Sequence, residues 1–276
     1  MKTRILTAAV GLPILIALLL AAPLWAAGIA MGLVCTLAAY ELMHMALGKT
    51  PRRLYFSVML CAFVLPVMFS LGKEFSWAVG VLLLLFFVLS IEQMVSYAGH
   101  WRITLDMIAV AMLSGGVLPI MLSTLLRIGL IPVVGRVRMM LPFVIAFASD
   151  TGAYFTGMYL GKQKLAPHIS PKKTLEGAIG GIVAGGLCAL IYGVILLLCG
   201  FGANLFSLTL FGLIGSVVAQ LGDLTFSAFK RQYDTKDYGN ILPGHGGILD
   251  RFDSLYYLAP LTEVWIALAP AIWVKG

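Results

Sequence analysis

Three aspartates stand where a carboxylate is costly. Asp150 lies in FVIAFASDTGAYF, Asp223 in GSVVAQLGDLTFSAF, and Asp253 at the start of the last apolar run. An ionised carboxylate in hydrocarbon costs about 2.5 kcal/mol or more, so each needs a partner or an aqueous cavity. A single such Asp could be salt-bridged to a Lys or Arg only to join helices. Three of them, with two basic loops close by in sequence, point to a functional site. Seven of the 12 acidic residues (Asp150, Glu176, Asp223, Asp234, Asp237, Asp250, Asp253) fall between 150 and 253.

Helical spacing groups these residues further. Gln220, Asp223, Ser227, Lys230 and Arg231 fall within about 100° of arc on one helical face. Asp250 and Asp253 stand at i and i+3, neighbours on one face. Asp150, Thr151 and Tyr154 share a side of their helix. Carboxylates without clustered Cys or His favour hard cations, Mg²⁺ before Zn²⁺. Mg²⁺ usually keeps waters and takes one or two protein carboxylates plus substrate phosphate. The flanking Lys162, Lys164, Lys172, Lys173, Lys230, Arg231, Lys236 and Arg251 suit a polyanion. Carboxylates, Mg²⁺ and lysines together suggest phosphoryl or nucleotidyl transfer.

Two glycine- or lysine-bearing loops add to this. Pro243-Gly244-His245-Gly246-Gly247 lets backbone N–H groups approach a phosphate closely, although such a run alone also makes a plain turn. Ser170-Pro171-Lys172-Lys173-Thr174-Leu175-Glu176 reads as a loop ending at a helix start. Pro171 through Thr174 could hold a phosphate near that helix N-terminus, and Glu176 suits the positive end of the helix dipole. Gly161-Lys162 is not a Walker A loop, because the spaced glycine before it and the Ser/Thr after it are missing.

The elements that must position these residues are membrane helices. Of the 276 residues, 61% are apolar and 11% charged, with a mean hydropathy of +0.99. Such values exclude disorder, coiled coil and an ordinary soluble domain. The apolar stretches run continuously rather than alternating, which argues against a β-barrel. The expected fold is all-α and polytopic, with about nine spans at roughly 20 residues each. They are expected near 1–24, 25–45, 54–72, 75–97, 105–126, 139–160, 175–199, 204–229 and 252–273. The first imitates a signal peptide through Lys2 and Arg4, but its apolar run is too long, so it reads as an uncleaved helix. Residues 1–140 are expected to form a scaffold with dimer contacts. Residues 141–276 are expected to form a catalytic region with cytoplasmic loops 161–174 and 230–251.

Charge sets the expected orientation. The net charge of +7 reads as topology rather than as a footprint for nucleic acid. With the N-terminus inside, 14 of the 19 basic residues fall on the cytoplasmic side; Arg127, Arg136 and Arg138 oppose this. Cys35, Cys61, Cys188 and Cys199 lie in apolar runs and read as packing residues. Gly177, Gly181 and Gly185 repeat every four residues, a pattern for close packing within the monomer or at a dimer interface. Glu41, His44, Glu92 and His100 are expected near membrane edges, solvated or paired. The five tryptophans fit interfacial anchors.

The stretch from Ser227 to Asp253, SAFKRQYDTKDYGNILPGHGGILDRFD, resembles the signature of the phosphatidate cytidylyltransferase (CDP-diacylglycerol synthase) family. The matching positions are Ser227, Lys230-Arg231, Lys236-Asp237, His245-Gly246-Gly247, Asp250-Arg251 and Asp253. Asp150-Thr151-Gly152-Ala153-Tyr154 and Ser170-Pro171-Lys172-Lys173-Thr174 also resemble family segments. The resemblance covers 150 to 253; the first 140 residues match only as a hydrophobic profile. It implies transfer of a cytidylyl group from CTP to phosphatidate, giving CDP-diacylglycerol and pyrophosphate. It also implies Mg²⁺, with room for a second metal ion, and a homodimer in the cytoplasmic (inner) membrane.

The nucleophile would be a phosphatidate oxygen attacking the α-phosphorus of CTP. A phosphate monoester is largely ionised at neutral pH, its second pKa being about 6, so no strong general base is needed. This weakens a base role for His245. Asp223 and Asp250 are the first candidates for metal ligands, then Asp253 and Asp150. Lys172, Lys173, Lys230 and Arg231 would hold phosphates, and Arg251 would bind phosphate or pair with Asp253. Ser170, Thr174, Ser227, Lys236, Gly246 and Gly247 complete the expected substrate contacts. Two rival readings are an ion-coupled transporter and a transferase acting on an isoprenoid-ether lipid or a polyprenol. The transporter predicts polar residues in both halves, whereas here they concentrate in the second.

Overall fold

The structure, a computed structural model, describes residues 17–18, 20–48, 51–99, 101–239 and 246–274. Its helices are α1 (Leu24–Leu47), α2 (Arg52–Ser70), α3 (Phe75–Ser96), α4 (Leu105–Met112), α5 (Leu118–Gly129), α6 (Gly135–Leu160), α7 (Leu175–Leu198), α8 (Leu205–Gln232) and α9 (Leu249–Leu268). A π-helical turn, Leu113–Val117, makes α4 and α5 one continuous rod. Among the described residues, six rods are long and apolar enough to cross a membrane: α1, α2, α3, Leu105–Gly129, α7 and α8. The chain is a helical membrane protein, but the expected count of about nine spans is not reached. The first expected span lies almost entirely outside the described residues. Helices α6 and α9 form where spans were expected, yet they fall short in apolar character. They carry Arg136, Arg138 and Asp150, and Asp250, Arg251, Asp253 and Glu263.

The chain divides into two compact units, Met1–Leu130 with Asp237–Arg251, and Ile131–Lys236 with Phe252–Gly276. The dividing line therefore differs from a linear cut at residue 140. The 237–251 segment, expected with the catalytic half, groups with the N-terminal helices.

In the first unit α1 lies against α2. The approach is close enough that a Cβ on Gly32 would stand 2.9 Å from the Phe63 carbonyl oxygen. Leu54, Val58 and Leu65 of α2 and Leu122, Leu125 and Leu126 of α5 are fully buried and form the core. Only 17% of the apolar window of α3 is buried, so most of its aliphatic and aromatic surface is left for lipid.

In the second unit α7 packs along both α6 and α8. Small residues allow this. A Cβ on Gly181 would stand 2.7 Å from the Ser149 carbonyl, and one on Gly177 would stand 2.8 Å from that of Ala153. The Gly177/Gly181/Gly185 repeat is thus used inside the monomer, where all three glycines are buried. Helix α8 meets the later part of α9 through Phe226 and Tyr256, whose ring centroids are 5.4 Å apart.

Two small ribbons depart from the all-α expectation. The expected loop 161–174 is an antiparallel hairpin, β1 (Lys164–Ala166) with β2 (Ser170–Thr174), pairing Lys164 with Thr174 and Ala166 with Ser170. Pro171 is tolerated because a two-stranded ribbon consists of edge strands only. β3 (Phe201–Ala203) pairs with β4 (Ile272–Val274) and ties the end of α7 to the end of the chain's last helix. Residues 272–273 are therefore strand rather than the tail of a final span. The Arg138 guanidinium donates to the Ile272 carbonyl and fixes β4 to α6.

Candidate functional site

The hairpin's second strand leads directly into α7. Thr174 is the N-cap: its Oγ1 accepts the Gly177 N–H at 3.1 Å. This satisfies one of the orphan donors of a helix start. Two residues on, the Glu176 carboxylate reaches back to the N–H groups of Lys162 (3.0 Å) and Gln163 (3.2 Å). The hairpin is therefore pinned at both ends of its path. Arg231, at the end of α8, holds the turn: its Nε donates to the Ile169 carbonyl at 3.1 Å and its Nη1 to the Thr235 carbonyl at 2.7 Å.

The pinned strand delivers Lys172 and Lys173 to a cavity of about 360 Å³ between the hairpin, α6, α7 and α8. Asp150, Tyr154, Thr174, Gln220 and Asp223 also line it. Lys173 Nζ stands 2.5 Å from Asp223 Oδ2, with 28% and 26% of the two side chains exposed. Ser227 Oγ donates to Asp223 Oδ1 at 3.2 Å. Gln220 Nε2 bridges Ser149 Oγ and the Ala178 carbonyl, at 3.2 and 3.1 Å, tying α8 to α6 and α7 at the cavity wall.

Asp253 extends this cluster. The charge of Asp223 acts on both Asp150 and Asp253; that of Lys173 acts on Asp150 and that of Lys230 on Asp253. Asp253 Oδ1 accepts its neighbour Ser254's N–H at 2.7 Å. Lys230 and Ser227 are buried. So the second unit brings together Asp150, Asp223, Asp253, Lys172, Lys173, Thr174, Ser227 and Lys230. Asp223 does form the salt bridge that a purely structural Asp would form. Its partner, however, comes from a hairpin strand, and the pair faces an open cavity rather than a helix seam.

Among the described residues no three His, Cys, Asp or Glu side chains converge as a ready-made metal cage. The cavity carboxylates are oxygen donors only, a set that suits a hard cation completing its shell with water and phosphate.

The remaining expected site residues fall elsewhere. Ser170 opens β2 and Lys236 is exposed beyond α8. Arg251 is exposed in the first turn of α9. His245 lies outside the described residues. Gly246, Gly247 and Asp250 belong to the first unit, where Asp250 Oδ2 accepts the N–H groups of Gly247 and Tyr238, each at 3.0 Å. The glycine run therefore spends the Gly247 amide on an internal carboxylate.

The profile of the cytidylyltransferase family matches residues 2–269. The chain belongs to the cytidylyltransferase family. Three relatives of this cytidylyltransferase-family chain carry the name phosphatidate cytidylyltransferase. That of Bacillus subtilis (strain 168) is 52% identical over 125 residues, 45% of each chain. That of Staphylococcus haemolyticus (strain JCSC1435) is 49% identical over 123 residues, 44% of this chain and 46% of the relative. That of Staphylococcus aureus (strain COL) is 50% identical over 123 residues, with the same coverage. The chain spans about half the length of the relatives it matches.

Three residues singled out in the sequence make contacts that their spacing did not assign. Glu176 is a hairpin clasp as well as a helix-start acid. Arg231 is tied to two backbone carbonyls. Glu41 of α1, expected only as an edge residue, is buried and paired within the first unit. A signal for Glu41 existed: it is the only acidic residue in the first 73 positions.

Proposed function

We propose that this cytidylyltransferase-family protein transfers the cytidylyl group of CTP to phosphatidate, releasing pyrophosphate and leaving CDP-diacylglycerol in the bilayer. One observation carries the reading: Asp150, Asp223, Lys172 and Lys173 share one cavity walled by apolar helices. A lipid phosphate stays in the membrane because each buried CH₂ holds it by about 0.8 kcal/mol. CTP stays in water. A polar cavity walled by apolar helices is where the two can meet. The names of the bacterial relatives support the same substrates, and the six apolar helices support a membrane location.

A phosphatidate oxygen forms the new P–O bond to the α-phosphorus of CTP while the bond to the β-phosphate oxygen breaks. The nucleophile is already ionised, so the protein has charge and alignment to supply rather than a base. Lys172 and Lys173 are suited to the polyphosphate, and Lys230 to charge developing beside Asp253. Ser227 fixes the rotamer of Asp223, and Gln220 keeps the walls of the cavity in register. Asp223, with Asp150 and Asp253, would hold Mg²⁺, and Asp250 is a further candidate from its place in the family-like segment. When bound, the ion supplies neutralisation of phosphate charge. The distribution of basic residues supports a cytoplasmic N-terminus and a cytoplasmic site. The family resemblance supports a homodimer.

The test is purified protein with α-labelled CTP, phosphatidate in detergent micelles and Mg²⁺. Labelled lipid and pyrophosphate should form, EDTA should stop the reaction, and Asp223→Asn should abolish it without loss of folded protein. Wild-type-like turnover by Asp223→Asn would remove Asp223 from the site. No transfer from CTP by folded wild type would remove the reaction itself.

A further inference from the structure

Helix α9 is preceded by residues that carry no side-chain oxygen. The residues before Leu249 are Gly246, Gly247 and Ile248, and none offers the side-chain oxygen that ordinarily accepts the orphan amides of a helix start. Two of the amides at this helix start are satisfied from a distant part of the chain. The Ile248 N–H donates to Glu41 Oε1 at 3.0 Å and the Leu249 N–H to Glu41 Oε2 at 2.9 Å. The acceptor lies 207 and 208 positions earlier in the chain, on α1. Glu41 is only 1% exposed.

The surroundings are shaped to this carboxylate. A Cβ on Gly247 would stand 2.5 Å from Glu41 Oε2, and one on Gly239 would stand 2.8 Å from Oε1. At both glycines the Glu41 carboxylate approaches more closely than a Cβ would allow without the carboxylate moving. The next carboxylate continues the clasp, because Asp250 Oδ2 takes the amides of Gly247 and Tyr238. All of these residues belong to the first unit.

We infer that Glu41 is a positioning residue: a long-range cap that sets the place of the Gly246–Asp250 segment and hence the aim of Asp250. The inference rests on the proposed cytidylyl transfer, in which Asp250 is a candidate metal ligand by its place in the family-like segment. Both carboxylate oxygens are used, so a neutral isostere cannot replace them. The amide of Gln offers one acceptor and presents an N–H₂ to the other backbone N–H. A misplacement of about 1 Å in a reacting site costs up to about 100-fold in rate. Binding energy from substrate parts remote from the reacting centre should be untouched.

The experiment compares full-length wild type, Glu41→Gln and Glu41→Ala in detergent micelles. Amide hydrogen exchange is followed in the peptide covering 246–250, beside steady-state kinetics with CTP and phosphatidate. Glu41→Gln should speed exchange in that peptide more than in any other and lower kcat by about 10- to 100-fold. KM for both substrates should stay within about 3-fold, since a loss confined to the transition state lowers kcat alone. Glu41→Ala should do the same more severely; if it fails to fold, Glu41→Gln alone decides. Unchanged exchange in Glu41→Gln overturns the clasp. Faster exchange with unchanged kcat overturns the positioning role. If wild type transfers nothing from CTP, the positioning role falls with the reaction, while the exchange data still decide the clasp.

Discussion

Lys173 neutralises Asp223 across a 2.5 Å ion pair in the lining of a cavity that Asp150 also lines. A carboxylate in that position repels its neighbours unless a cation stands beside it. The hairpin lysine supplies that cation from within the chain, and in the proposed reaction it also serves an incoming phosphate. Charge-assisted hydrogen bonds contribute about 1.5–3 kcal/mol each. Lys173→Gln should therefore lower kcat/KM for CTP by about 10- to 100-fold, measured by steady-state kinetics in micelles. A change of less than about twofold, below the effect of one neutral hydrogen bond, would show that Lys173 only balances Asp223. Lys173→Arg should recover little, because a planar fork cannot occupy the place of a point charge.

At the scale of elements, the site depends on two features: how closely α6, α7 and α8 approach, and how the hairpin is fastened to them. The first rests on glycines. Any side chain at Gly181 meets the Ser149 carbonyl at 2.7 Å, and backbone cannot yield as a flexible side chain can. Gly181→Val should destabilise the second unit by about 3 kcal/mol, at the upper end of overpacking effects. A denaturation midpoint equal to that of wild type would contradict the close helix contact. The fastening rests on Thr174 and Glu176, which satisfy the start of α7 and the lead into β1 respectively. Thr174→Ala removes a cap of about 1 kcal/mol.

At the scale of the whole chain, exposed apolar helix surface accompanies acidic residues concentrated between positions 150 and 253. The orientation expected from charge can be tested on the hairpin turn. In a variant with Cys35, Cys61, Cys188 and Cys199 replaced by Ala, Pro167→Cys should react with a membrane-impermeant thiol reagent only after cells are permeabilised. Labelling of intact cells would invert the topology. Pro167 is exposed and lies between β1 and β2, so its substitution disturbs no strand pairing.

Much of this was legible in the residues alone. Continuous apolar runs declared a helical membrane protein, since backbone polar groups in lipid must be satisfied within a segment. The three costly aspartates and the basic loops pointed to phosphoryl or nucleotidyl transfer, and the stretch from Ser227 to Asp253 carried the family resemblance. The 161–174 hairpin was not legible, because its Lys- and Pro-rich residues have no strand periodicity and pair only once fastened by Glu176 and Arg231. Among the described residues, six helices are long and apolar enough to cross a membrane; α6 and α9, which carry charged residues, are not among them. Glu41 shows the limit most plainly. A lone acid in LAAYELMHMAL signals a buried partner, but a hydrogen bond to amides 207 positions away has no trace in local spacing. Sequence determined which residues carry charge and that the chain is built of apolar helices, because composition and periodicity are local. Only the tertiary structure decided which charges meet, because that depends on helices packing through glycines and on caps contributed from distant parts of the chain.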